Sequence, residues 1–293
     1  MIEEHVDIAT ADGAMNSFVV YPEQRGPHPV VLFYMDAPGK REELHDMARR
    51  LASVGYFVVL PNLYYRRTPD WWLTERTEAK MAVMFEHMSA LTNAMTVRDT
   101  EAMLRYVDAH PHAEASRVGA VGYCMSGPFV MHAAASFPDR IKAIASIHGA
   151  NLVTEREDSA HLVAPRIRCE SYFACAEIDQ WASRELVERL EAALKAGGTP
   201  HRIEWIRRWS TASCSRCAPA TTRPPPSGTG SACSTCSGGR CAASGARSCS
   251  LPLRGGLGWG LCAPCHTCLP QPHRAACLCY KAPRPRVGAA EHA

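Results

Sequence analysis

Apolar residues recur in short strand-like and longer helix-like patterns as far as Trp205, and there the repetition stops. Segments 5–8 and 15–21 alternate apolar and polar positions around the turn Asp12-Gly13, which predicts an antiparallel edge hairpin. Segment 29–34 is continuously apolar, the pattern of a strand covered on both faces. Segment 41–53 carries Leu44, Met47, Ala48 and Leu51 at helical spacing and closes at Gly55. A second buried strand is expected over 56–60, stopped by Pro61, with helices over 75–84 and 97–108. A third buried strand over 118–123 runs into a helix over 127–137. Strands over 143–148, 167–174 and 202–205 follow, the last two separated by a helix over 184–196. This alternation predicts an α/β domain with a mostly parallel sheet and helices on both faces. In such a sheet the working residues belong beyond the carboxyl ends of the strands.

Composition divides the 293 residues into two parts, 1–205 and 206–293. The first holds 21 basic and 28 acidic residues and only Cys124, Cys169 and Cys175. The second has 11 basic residues against the single acid Glu291, and 11 cysteines. The overall charge of +3 hides that contrast. No apolar run approaches the ~20 residues of a spanning helix, so no membrane association is expected. Met1 is followed by Ile2-Glu3-Glu4 without a basic and apolar leader, and sparse cysteines in the body suit a reducing cytoplasm.

The chemistry concentrates at Gly122-Tyr123-Cys124-Met125-Ser126-Gly127, between the third buried strand and its helix. Gly122-x-Cys124-x-Ser126 has the form of a nucleophile elbow with Cys in the nucleophile's place. Small residues two positions either side allow the strand to turn sharply into the helix. The helix N-terminus is expected to favour the thiolate, and the Met125 N–H to face a developing oxyanion. Asp179 and Glu177, in the loop after a later strand, are both candidate acids; the chain order nucleophile, acid, base of α/β-hydrolases favours Asp179. His148 ends a strand on the same side and is expected to line the pocket. Tyr64, Tyr65, Trp71 and Trp72 suggest an aromatic mouth.

On these residues, together with Tyr34-Met35-Asp36-Ala37-Pro38-Gly39, Leu60-Pro61-Asn62-Leu63-Tyr64-Tyr65-Arg66 and the stretch Tyr172 to Trp181, segment 1–205 resembles the dienelactone hydrolase family. The resemblance implies an α/β-hydrolase fold and a Cys-Asp-His triad with Cys124 as nucleophile and Asp179 orienting the base. It implies a second oxyanion donor at Ala37 and an acid beside the thiol at Asp36. It implies hydrolysis of a small-molecule ester or lactone, with no cofactor and no metal. Asn62 stands where family chains usually carry Asp.

The family's histidine belongs in a Glu-His-Gly-Phe-like loop just after the strand ending at Trp205, followed by a long terminal helix. Here no histidine occurs between His201 and His266, and His201 precedes the strand. Residues 206–293 contain no Asp, Asn, Phe or Met, as expected of GC-rich coding DNA read out of frame. Permitted codons from Trp209 to Ser213 spell TGGAGCACGGCTTCG, which two bases on reads Glu-His-Gly-Phe. The same offset over 227–234 reads Arg-His-Trp-Glu-Arg-Leu-Phe, a helix-like segment. We therefore hypothesise a one-base deletion just after the Trp205 codon; an intact in-frame gene sequence through Ser210 would refute it. On this reading the tail is disordered, the terminal helix is missing and the hydrolase is impaired. Two rivals stand beside it. Cys214-x-x-Cys217 and Cys233-x-x-Cys236 have zinc spacing, but the tail lacks the apolar residues that a zinc module packs around its metal. A non-catalytic relative would use Cys124 as a redox-sensitive or ligand-binding thiol. The tail's positive charge lacks the aromatic interleaving of a nucleic-acid surface, so no nucleic-acid partner is expected. Oligomeric state is not legible in the sequence.

Overall fold

The computed structural model describes residues 1–24, 26–179 and 181–210, the last four by their backbone alone. The tail cysteine motifs and residues 211–293 lie outside the described residues, whereas 206–210, expected to be disordered, continue the last strand of the sheet. An eight-stranded sheet runs in the order β1-β2-β4-β3-β5-β6-β7-β8. The strands β1 (Ile2–Thr10) and β2 (Gly13–Tyr21) form the expected hairpin, and β2 is antiparallel to β4 (Phe57–Pro61). All other pairings are parallel, through β3 (His28–Tyr34), β5 (Ala113–Tyr123), β6 (Ile141–Ile147), β7 (Glu170–Ile178) and β8 (His201–Ser210).

The helices are α1 (Glu42–Ser53), α2 (Glu78–Ser89), α3 (Asn93–Ala109), α4 (Gly127–Ser136) and α5 (Arg184–Ala196). The step from β3 through α1 to β4 runs toward β2, whereas the steps from β4 onward run the other way. Right-handed crossovers then place α1 on one face and α3, α4 and α5 on the other. Leu44, Ala48, Leu51 and Ala52 form the buried stripe of α1. Phe33, Phe57 and Phe173 are fully buried in the central strands. Of these, β3 and β4 have continuous apolar runs because both of their faces are covered.

Several element boundaries differ from the sequence expectation for identifiable reasons. Helix α2 starts at Glu78 rather than 75 because the Thr77 hydroxyl accepts the Lys80 N–H. Thr92 does the same for Met95, so α3 starts at Asn93 rather than 97. Residues 160–166 form a tight helical turn, which delays β7 to Glu170. Pro61 ends β4 inside the strand, opposite Ser17. Strand β8 continues beyond Trp205 to Ser210, where it pairs with Ile178 across a bulge. Among the described residues, no helix is long and apolar enough to cross a membrane.

The sheet order fixes the site. Neighbouring strands β3, β5 and β6 end at Tyr34, Tyr123 and Ile147, with Tyr34 opposite one residue before Tyr123 and Tyr123 opposite Ile147. Asp36, Cys124 and His148 therefore emerge side by side, and Asp179 follows the end of β7.

Candidate active site

Cys124 sits at the corner between β5 and α4 with φ at 53°, in the left-handed region that side chains with a Cβ rarely adopt. Among the described residues the other non-glycine positions there are His148 at 41° and Asn151 at 56°. All three lie in the loops at the carboxyl end of the sheet, so backbone strain gathers around Cys124. The corner depends on small neighbours. A Cβ at Gly122 would collide with the Ser126 carbonyl, and one at Gly127 would stand 2.6 Å from Gly149 Cα. Buried Ser126 donates its hydroxyl to the Met35 carbonyl, tying the corner to the loop after β3. On the other side the Ala150 N–H donates to the Cys124 carbonyl at 2.9 Å.

The backbone N–H groups of Met125 and Ala37 lie on the Cys124 side of their loops and act to lower the thiol pKa. Two N–H groups from different loops thus stand near the sulfur, in the neighbourhood where an oxyanion hole would lie. The thiol itself differs from the expectation of a thiolate. Burial pushes its pKa up to about 11, the negative charge of Asp36 adds to the rise, and the two N–H groups oppose it without winning. At neutral pH Cys124 is a neutral thiol. The helix terminus is too weak to offset desolvation where no cation faces the sulfur.

Asp36 is held by Arg41 in a forked pair, Nη1 to Oδ1 at 2.6 Å and Nη2 to Oδ2 at 3.0 Å. Arg41 Nη1 also donates to the Gly39 carbonyl at 2.9 Å. Asp179 is 8% exposed, whereas Glu177 is exposed, which separates the two candidate acids. Its Oδ1 accepts the Trp181 N–H at 2.8 Å, and its Oδ2 is buried with no hydrogen-bond partner among the described residues. His148 is 3% exposed, with its ring edge-on to Tyr123 at 5.9 Å. Burial holds its pKa below the usual value, against the pull of Asp36 and Asp179, so its imidazole is neutral.

The two tyrosines part company. Tyr64 is 1% exposed and turns its hydroxyl to the Ala37 carbonyl at 2.8 Å and to Met125 Sδ at 3.4 Å. Tyr65 is not brought to the sulfur: its hydroxyl donates to Asp99 at 3.0 Å, in a network with Arg66 and Thr10. Trp71 and Trp72 line a groove of about 360 Å³ with Thr68, Asp70, Thr74 and Lys80. Sequence reasoning missed Arg41 as the partner of Asp36 and missed the inward turn of Tyr64. The one available signal for Arg41 was a cation five residues after the acid, beyond the Pro38-Gly39 turn. Among the described residues no group of three His, Cys, Asp or Glu side chains is arranged to hold a metal ion.

A carboxymethylenebutenolidase of Pseudomonas putida is 28% identical over 141 residues, which cover 48% of this chain and 59% of that protein. The matched segments span about half the length of the curated relatives. Among solved structures, a dienelactone hydrolase-like promiscuous phosphotriesterase from metagenomic libraries superposes with a TM-score of 0.60 at 20% identity, covering 71% of this chain and 82% of that one. The dienelactone hydrolase of Anabaena variabilis gives 0.54 at 18% identity, covering 72% and 88%. These two likenesses show the fold. The model of the dienelactone hydrolase family matches residues 15–208, over the strands and loops that carry Asp36, Cys124, His148 and Asp179, and the chain belongs to that family.

Proposed function

We propose that this chain is built as a hydrolase of a small carboxylic ester or lactone, with Cys124 as its nucleophile. The observation that carries the reading is the Cys124 corner, a cysteine held at φ 53° between a strand and a helix, with the Met125 and Ala37 N–H groups acting to lower its thiol pKa. In the reaction the Cys124 sulfur bonds to the ester carbonyl carbon while a base takes the thiol proton. The oxyanion rests on the two N–H groups. The C–O bond to the leaving alcohol then breaks and the alcohol takes the proton. Water cleaves the resulting thioester and the thiol regains its hydrogen.

Asp179 is the residue we assign to orienting the base. Its buried, unpartnered Oδ2 supports that role, because a carboxylate oxygen left unpaired is costly and marks where a donor is meant to stand. The histidine it suits is the one the out-of-frame reading would restore, and we propose that the chain as written is impaired for want of it. The same reading makes residues 206–293 a segment apart from the 1–205 domain. A redox-sensor role for Cys124 fits less well, since sensor thiols are of low pKa and this one is raised to about 11. The free thiols Cys124, Cys169 and Cys175 agree with the reducing cytoplasm we propose.

The test is hydrolysis of p-nitrophenyl acetate by the chain as written and by a gene with one base restored after the Trp205 codon. Restoration is expected to raise turnover by about 10³-fold or more, the scale of a missing triad member. Cys124→Ser or iodoacetamide should abolish that activity. Equal rates for both chains would sink the impairment, and turnover that survives Cys124→Ser would sink the nucleophile.

A further inference from the structure

The loop that supplies the Ala37 N–H is pinned at three successive carbonyls. Asp36 accepts from the Gly39 N–H at 3.1 Å and Pro38 from the Leu73 N–H at 2.8 Å. Ala37, between them, accepts from the Tyr64 hydroxyl at 2.8 Å. The same hydroxyl reaches Met125 Sδ at 3.4 Å, so one oxygen touches both residues whose N–H groups act on the Cys124 thiol. We propose that Tyr64 is the positioning residue of the oxyanion hole, its buried hydroxyl joining Ala37 to Met125 so that their N–H groups stay near the sulfur.

The tyrosine is itself held firmly. Its ring stacks on His87 at 5.1 Å and meets Trp71 edge-on at 6.0 Å. Arg67 Nε donates to His87 Nδ1 at 3.1 Å, which fixes that imidazole behind the ring. The Tyr64 N–H donates to Asn62 Oδ1 at 2.9 Å. Ring, backbone and hydroxyl are thus constrained from three directions, as a preorganised donor site demands. The Ala37 N–H gains nothing from regular secondary structure, since it lies in the loop beyond β3. Without the hydroxyl, the middle carbonyl of that loop loses its anchor and is left buried without this donor.

This inference rests on the oxyanion reading above, and its test uses a probe that needs no triad base. An aryl trifluoromethyl ketone adds Cys124 across its carbonyl: the S–C bond forms, the C=O π bond breaks, the thiol proton passes to buffer, and the oxyanion sits where a substrate's would. Adduct affinity is read by ¹⁹F NMR on the full chain. Tyr64→Phe is expected to weaken the adduct about tenfold, less than the 10²–10³ of deleting a donor outright. Tyr21→Phe is the control, since it removes a buried hydroxyl bonded to Glu4 at 2.7 Å away from these loops, and it should leave the adduct unchanged. Equal affinity for Tyr64→Phe and wild type overturns the inference and leaves the hydrolase reading standing. Equal weakening by both variants makes the effect one of general stability and overturns it too. Absence of a wild-type adduct removes the oxyanion hole and this inference together, whereas the ester assay above judges turnover separately.

Discussion

Asp36 has two readings with opposite signs. As a base it would assist ionisation of Cys124; as a fixed charge it opposes it. The thiol at about 11, with Asp36 second only to burial among the causes, favours the fixed charge. At pH 8 about one thiol in a thousand is then ionised, against about one in ten at the ordinary value of 9.0. Higher basicity makes the thiolate more nucleophilic, by a Brønsted slope of about 0.4–0.5, so alkylation should run about tenfold slower than at an ordinary cysteine. Asp36→Asn removes the like charge that raises the thiol. A neighbouring charge is worth about one pKa unit or more. The alkylation midpoint should fall by about one unit, and the rate at pH 8 should rise about threefold once the lost basicity is counted.

The assay is iodoacetamide labelling from pH 7 to 11, read by mass spectrometry on the tryptic peptide 118–140, which contains Cys124 and no other cysteine. Arg41 is partly buried and keeps its pair with Glu43 at 3.2 Å, but loss of the Asp36 carboxylate still weakens the fold. The double variant Asp36→Asn with Arg41→Gln guards against that, and its midpoint should fall by less but in the same direction. A midpoint that stays, rises, or already lies near 8.5 in the wild type refutes the electrostatic account of this site.

Two further outcomes follow from buried polar groups. Asn62 is 1% exposed, and its Nδ2 lies 3.0 Å from Asn16 Oδ1, Thr68 O and Pro69 O. Asn62→Asp turns that donor into an acceptor facing acceptors, and even with Asn16 reversed at least one carbonyl goes unpaired, so urea unfolding should show a loss of about 2–3 kcal/mol at pH 7 that shrinks toward pH 5 as the carboxyl protonates; unchanged stability at pH 7 would contradict this. Burial raises the thiols of Cys124 and Cys169 to about 11 and of Cys175 to about 12 from 9.0. Folded pKa values above the unfolded ones mean stability that is whole below pH ~9 and declines as pH climbs through 9 to 11. Urea midpoints taken across that window should fall, and Cys175→Ala should flatten the slope; a level profile in wild type speaks against buried protonated thiols.

What the sequence reveals depends on how local the cause is. Gly122 and Ser126 betray the corner because the steric demand acts within five residues. Asp179 could not be told from Glu177 by pattern, since the difference is burial, which the rest of the fold decides. The Met125 donor is part of the corner and was legible with it. The Ala37 donor was reached only through family resemblance, because its place depends on β3 lying beside β5, a pairing between distant segments. The Arg41–Asp36 fork was hidden for a similar reason: it closes over a turn whose Gly39 takes φ at 90°. Thr77 and Thr92 cap their helices, yet in a polar run they look like loop residues. Helix α2 also exposes Val83 and Phe85, so its apolar positions do not mark one face.

The charges around Cys124 also constrain when the sulfur can react. His148 is the neutral imidazole among the residues at this end of the sheet, and its pKa lies below 6.5. A proton passing from a thiol at about 11 to such an imidazole climbs more than about four units, roughly 6 kcal/mol, so a standing thiolate–imidazolium pair is not populated here. On the proposed hydrolase reading, attack without a better base than His148 would have to form the S–C bond as the proton leaves, with the climb met by charge appearing on the carbonyl oxygen rather than on the sulfur. That places the burden on the Met125 and Ala37 N–H groups, which must already be aimed when attack begins. On that reading the site tolerates an unreactive thiol at rest provided the Met125 and Ala37 donors are rigid, and the hydrogen bonds to the three carbonyls of the 36–38 loop are where such rigidity would come from.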